Sequence, residues 1–209
     1  MSAQVLELDG LLKARHVWRG PAPQPLPAEG LPTGWAMLDR ALPTGGWPEA
    51  SLTELLIPSD GVGELELLWP ALSKLSAGDG LVALIAPPFL PYAPAWHAAG
   101  VRLQGLQVVR ADAREALWAA EQCLRSGACN AVVCWPVTTD DRLIRRLQVA
   151  AENGRCRGFA IRPAQAARNP SPAPLRLVIE PAPVRQIRVI KCRGANPPAA
   201  PLPFPRAAQ

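Results

Sequence analysis

Four short apolar runs, separated by segments of helical spacing, constrain this 209-residue chain more than any other feature. Residues 52–57 (LTELLI), 81–86 (LVALIA), 106–111 (LQVVRA) and 131–135 (AVVCW) are strand-length, apolar and bounded by Gly, Pro or Asp, as buried strands are. Between them, three groups recur at helical spacing: Leu65, Leu68 and Leu72; Leu117, Ala120 and Leu124; Leu143, Leu147 and Ala150. Asp112 with Glu115 resembles a capping box and Gly127 a helix stop, while Asp140 and Gly154 play the same parts for the next helix. Parallel strands need crossover connections that helices supply, so the alternation predicts an α/β fold with a mostly parallel central sheet flanked by helices. Beyond residue 155, the runs 159–161, 175–179 and 187–192 predict strands added antiparallel at the sheet edge, towards the C-terminal end.

The ends read differently. Residues 1–20 hold a short amphipathic helix over 4–15 (QVLELDGLLKAR), a candidate for self-association or partner docking. Pro21, Pro23, Pro25 and Pro27 make 21–30 a linker, because proline lacks the amide donor and fixes φ. The core is expected over 31–194, and the Pro/Ala-rich 195–209 is expected to be a disordered tail.

Apolar stretches fall short of the ~18 residues of a membrane span, and the N-terminus lacks the layout of an export signal. A cytoplasmic protein is expected. Five cysteines without a CxxC pair argue against a zinc ribbon or a disulfide framework and are expected to be reduced, mostly buried thiols; His16 and His97 lie at no metal-ligand spacing. No metal or cofactor is expected. The net charge of +5 is unevenly placed: residues 1–140 carry 9 basic and 14 acidic side chains, residues 141–209 carry 13 basic and 3 acidic. Arg142, Arg145 and Arg146 share one side of a helix, and Arg185, Arg188, Lys191 and Arg193 cluster near the end. Both groups are candidate contacts for single-stranded DNA or an acidic partner. Trp18, ahead of the linker, is a candidate interface residue.

The first strand runs into PSDGVGEL, a glycine-containing loop that opens a helix, where a P-loop of pattern GxxxxGK[ST] would cradle phosphates. Aligned on Gly63, Pro58 replaces the first glycine, Glu64 the lysine and Leu65 the hydroxyl that holds magnesium. Run 131–135 ends in Trp135 and is followed by Pro136, with no carboxylate there for the metal. No enzyme is expected.

Residues 31–56, LPTGWAMLDRALPTGGWPEASLTELL, resemble the RecA-superfamily segment T-G-x-x-x-L-D-x-x-L-x-x-G-G that precedes the P-loop strand, and residues 97–136 are similar to the RecA core. With VRQIRVIKCRG at 184–194, the chain resembles the ImuA family of translesion-synthesis accessory proteins. The same degenerate core also resembles SulA-type cell-division inhibitors. The ImuA resemblance implies a non-catalytic adaptor in the damage-induced (SOS) response, partnered by an inactive Y-family polymerase homologue (ImuB type), an error-prone DnaE-type polymerase and RecA. The SulA resemblance implies a division inhibitor that binds the bacterial tubulin homologue. RecA-like enzymes carry a catalytic Glu after the second core strand, where this chain reads IAPPFLPYAP.

Overall fold

The computed structural model describes residues 30–136 and 140–205. The N-terminal amphipathic segment, Trp18 and most of the proline-rich linker lie outside the described residues. In chain order the helices are α1 (Ala36–Ala41), α2 (Glu64–Leu75), α3 (Ala93–Ala98), α4 (Ala113–Arg125) and α5 (Asp141–Asn153). The strands are β1 (Leu52–Ile57), β2 (Val82–Ile85), β3 (Leu106–Val109), β4 (Ala131–Cys134), β5 (Arg157–Pro163), β6 (Leu175–Glu180), β7 (Gln186–Cys192) and β8 (Leu202–Pro203).

All eight strands form one sheet of order β3-β2-β4-β5-β1-β6-β7-β8. The first six are parallel; β7 and β8 continue it antiparallel. Period-two alternation splits the core between the two faces. Leu55, Ile57, Leu84, Val133, Phe159 and Leu177 meet α2 through Leu67, Leu68, Ala71 and Leu72. Leu52, Ile85, Val132 and Ala160 meet Ala120 and Leu124 of α4 and Ile144, Leu147 and Ala151 of α5. Strands buried on both faces account for the unbroken apolar runs. The helix starts follow the expected caps: Asp112 accepts the amides of Arg114 and Glu115, both at 2.9 Å, and Asp140 that of Arg142 at 2.8 Å.

Three expectations are corrected. The strand expected over 159–161 is β5, parallel and central between β4 and β1, because α5 returns the chain across the sheet. The strand over 175–179 is also parallel, so antiparallel pairing begins only at β7. Within the expected disordered tail, Leu202 and Pro203 pair with β7 and the Phe204 side chain is buried in the α2 core. An aromatic ring with a pocket to fill holds down a chain end that composition alone marks as loose.

The TG…LD…GG segment earns its residues structurally. The Asp39 carboxylate accepts the Thr33 amide at 2.8 Å and the Thr33 hydroxyl at 2.6 Å. Gly34 has φ +90° and lies against Pro70 of α2, where a Cβ would stand 2.4 Å from the proline Cβ. A Cβ on Gly46 would meet the Leu31 carbonyl oxygen at 2.1 Å, across the bridge that pairs Leu31 with Trp47. Trp47 itself is wholly buried, edge-on to Phe159 with ring centroids 5.4 Å apart. This motif builds the scaffold under α2.

Candidate functional site

Ligands of open α/β sheets bind outside the carboxyl ends of the strands. Here the carboxyl ends of β1, β4 and β5 enclose a cleft of about 270 Å³ lined by Pro58, Ser59, Asp60, Trp135, Pro136 and Pro163. The loop from β1 into α2 forms one wall. Gly63 caps α2 with φ +107°, a conformation that L side chains rarely adopt.

Glu64, at the P-loop lysine position, folds back into this loop. Its Oε1 accepts the Gly61 amide at 3.0 Å and its Oε2 the Gly63 amide at 3.1 Å, and the residue is only 5 % exposed. The N–H groups that cradle a phosphate in a P-loop therefore already hold a carboxylate. Glu66, two residues further along α2, pairs with Arg185 at 2.8 Å. The Arg185 guanidinium stacks 3.8 Å from the Phe204 ring centroid, and a Cβ on Gly63 would lie 2.7 Å from Arg185 Nη1 and 2.8 Å from Phe204 Cζ. The start of β7 and the C-terminal segment thus close over the loop. A magnesium triphosphate does not fit these residues: the amides are engaged, Leu65 offers no ligand, and position 64 carries the wrong charge.

The basic clusters are distributed rather than gathered. Arg146 pairs with Glu121 of α4, which also accepts Arg125 at 2.6 Å; Arg142 and Arg145 are exposed on α5. Arg185 is committed to Glu66, and Arg188 to Glu180 at 2.7 Å, whose carboxyl is lowered by that hydrogen bond. Lys191 donates to the Ser171 carbonyl at 2.7 Å, and burial, then the charges of Arg193 and Arg176, lower its pKa. Arg193 is exposed. Much of the basic C-terminal third neutralises acids of the earlier chain: Arg157 pairs with Glu49, Arg162 and Arg176 with Glu54, Arg185 with Glu66 and Arg146 with Glu121.

Two features escaped sequence reasoning. The first is the buried triad Glu54–Arg162–Arg176. Arg176 on β6 stands directly opposite Glu54 on β1, and Arg162 lies two residues beyond the β5 partner of Glu54. Arg162 Nη1 donates to Oε1 at 2.5 Å and Arg176 Nε to Oε2, while Arg176 also donates to the carbonyls of Asn169 and Ala166 at 3.1 and 2.7 Å. A lone charge inside each of the runs 52–57 and 175–179, and one immediately after 159–161, was the available signal. The second is Trp118, 63 % exposed in a groove of about 950 Å³ between α4 and α5 with Leu117, Leu143, Arg114 and Arg146. One residue past Leu117 is 100° off the buried stripe, so the helical wheel already turned Trp118 outward.

The architecture is that of a degenerate P-loop α/β domain. The chain is a distant relative of RecA and SulA. It is 30 % identical to RecA 1 of Myxococcus xanthus over 125 residues (59 % of this chain, 35 % of that protein). RecA of Frankia casuarinae is 30 % identical over 129 residues (61 % and 36 %). The cell division inhibitor SulA of Edwardsiella piscicida is 45 % identical over 60 residues (28 % and 34 %). The matches span about a third of the length of each of these curated relatives. The crystal structure of SulA from Pseudomonas aeruginosa superposes with a TM-score of 0.46 at 29 % identity, covering 55 % of this chain and 98 % of that one. No family model matches. Among the described residues, no helix is long and apolar enough to cross a membrane.

Proposed function

We propose that the chain is a non-catalytic RecA-like adaptor in damage-induced translesion DNA synthesis. Its partners in this reading are an inactive Y-family polymerase homologue of the ImuB type and an error-prone DnaE-type polymerase, with RecA as a further one. The observation that carries the non-catalytic half is the Glu64 carboxylate seated on the loop amides where a phosphate would bind. Kinship to RecA and SulA supports the damage-response setting. A cytoplasmic location follows from the reading.

An adaptor works through surfaces rather than pockets. The α4–α5 groove presents Trp118, an anchor type enriched at interface hot spots, with Arg114 and Arg146 in its lining, and α5 also carries the exposed Arg142 and Arg145. Asp112, Glu115 and Glu121 line the same groove, so a phosphate backbone meets both signs there. A protein surface with complementary charges suits it better than single-stranded DNA.

The test is a tagged pull-down from DNA-damaged cells with mass spectrometry, comparing the natural chain with Trp118→Ala and with Arg142→Glu/Arg145→Glu. Polymerase capture that both variants lose supports the adaptor and this surface. Salt-sensitive affinity of the purified chain for single-stranded DNA, lost in the arginine variant, would replace the protein partner with DNA at this groove. The 45 % identity to a SulA segment favours a second reading, a cell-division inhibitor acting on the bacterial tubulin homologue. Capture of that tubulin without any polymerase selects it.

A further inference from the structure

We propose that the Glu64 carboxylate is the permanent occupant of the loop after β1, standing where a phosphate group would sit and holding the loop in its filled conformation without nucleotide. Three features carry this. Each carboxylate oxygen takes a different loop amide, Gly61 to Oε1 and Gly63 to Oε2, so the group spans the cradle as two oxygens of a phosphate would. The neighbouring carboxylate of the same turn, Glu66, is taken by Arg185, which leaves Glu64 to the loop alone. Arg185 and Phe204 crowd Gly63 from the side of β7 and the C-terminal segment, which closes one approach to any larger ligand.

A group tethered one and three residues from the amides it binds acts at a high effective concentration, which a free phosphate ester in solution has to overcome. Position 64 also adds the repulsion of like charges. A loop filled from within does not alternate between occupied and empty states, so α2 and the cleft lined by Trp135 keep a single arrangement. The partner surface of the domain is then constitutive, set by protein abundance rather than by nucleotide. This inference deepens the non-catalytic half of the reading above; its test follows the loop amides and not partner capture, so either can fail alone.

The experiment is amide hydrogen exchange by NMR on the full chain, with Leu55 of β1 as an internal reference for global stability. In the natural protein the Gly61 and Gly63 amides are expected to be protected and unmoved by millimolar inorganic phosphate. In Glu64→Ala both should exchange about 10- to 100-fold faster, the loss of one hydrogen bond each, while Leu55 stays slow. Inorganic phosphate should then slow both again. Glu66→Ala, which breaks the Arg185 pair, should leave both amides protected. If Glu64→Ala does not fold, Glu64→Gln keeps the shape and a single acceptor oxygen, so one of the two amides should lose protection and the other keep it. Unchanged protection in the Glu64 variants, phosphate-induced movement in the natural protein, or failure of phosphate to restore protection in Glu64→Ala would each overturn the proposal.

Discussion

Replacing Glu54 with Gln removes one negative charge and keeps the side-chain shape, in a place where both Glu54 and Arg162 are at most 1 % exposed. The natural triad holds one carboxylate between two guanidiniums. Without that charge, two like-charged groups face each other across β5, β1 and β6 with a neutral amide between them. Breaking a buried ion pair from one side costs about 3–5 kcal/mol, against a total stability of roughly 5–15 kcal/mol for a domain. With a urea m-value of about 2 kcal/mol/M, the unfolding midpoint should fall by about 1.5–2.5 M at unchanged m. Arg176→Met leaves a matched Glu54–Arg162 pair and should cost less. The triple change Glu54→Leu, Arg162→Met, Arg176→Met removes every charge at once and should recover most of the loss, since apolar replacements of buried ionic triads are neutral to stabilising by about 1–4 kcal/mol. Equilibrium urea unfolding followed by circular dichroism gives all three numbers. A Glu54→Gln midpoint within roughly 0.5 M of the natural protein would refute the reasoning, because it would mean that the two guanidiniums are already solvated without the carboxylate.

Two further outcomes follow from burial. Desolvation pushes the Cys134 and Cys156 thiols up to about 12 from an ordinary 9.0. The fold favours the neutral thiols, so their contribution is complete below pH 9 and is lost as pH rises towards 12. At pH 10 the loss is on the order of 1 kcal/mol for each thiol, and a Cys134→Ala/Cys156→Ala protein should show a flatter decline of urea midpoint between pH 9 and 11; equal slopes would rule the thiols out. Phe204→Ala should cost about 3 kcal/mol, the low end for a buried phenylalanine because a chain end relaxes readily. That loss lowers Tm by roughly 6–12 °C in calorimetry, whereas an unmoved Tm would mean that the segment is not docked.

Much of the architecture was legible in the chain because it is written in neighbours. The runs at 52–57, 81–86, 106–111 and 131–135 overlap β1 to β4, and Asp112 and Asp140 cap α4 and α5 as their positions predict. The loop register, with Glu64 at the lysine position, needs only eight consecutive residues. Strand order did not follow from such local signals: an apolar run shows that a strand is buried, not which strands flank it, so β5 entered the centre instead of the edge. The arginine excess of the C-terminal third divides between surface and core in a way that local signals do not show: Arg142, Arg145 and Arg193 are exposed, whereas Arg162 and Arg176 reach Glu54 from 108 and 122 residues away.

The sequence by itself determined the elements, their caps and the replacement of the P-loop residue types at positions 58, 64 and 65, since each depends on covalent neighbours within a turn or two. Only the tertiary structure decided that the Glu64 carboxylate accepts the Gly61 and Gly63 amides, that Phe204 and Arg185 pack against Gly63, and that Glu54 is paired in the core. Those depend on desolvation and charge pairing between distant segments, and a buried charge finds its partner by where the sheet brings the strands together.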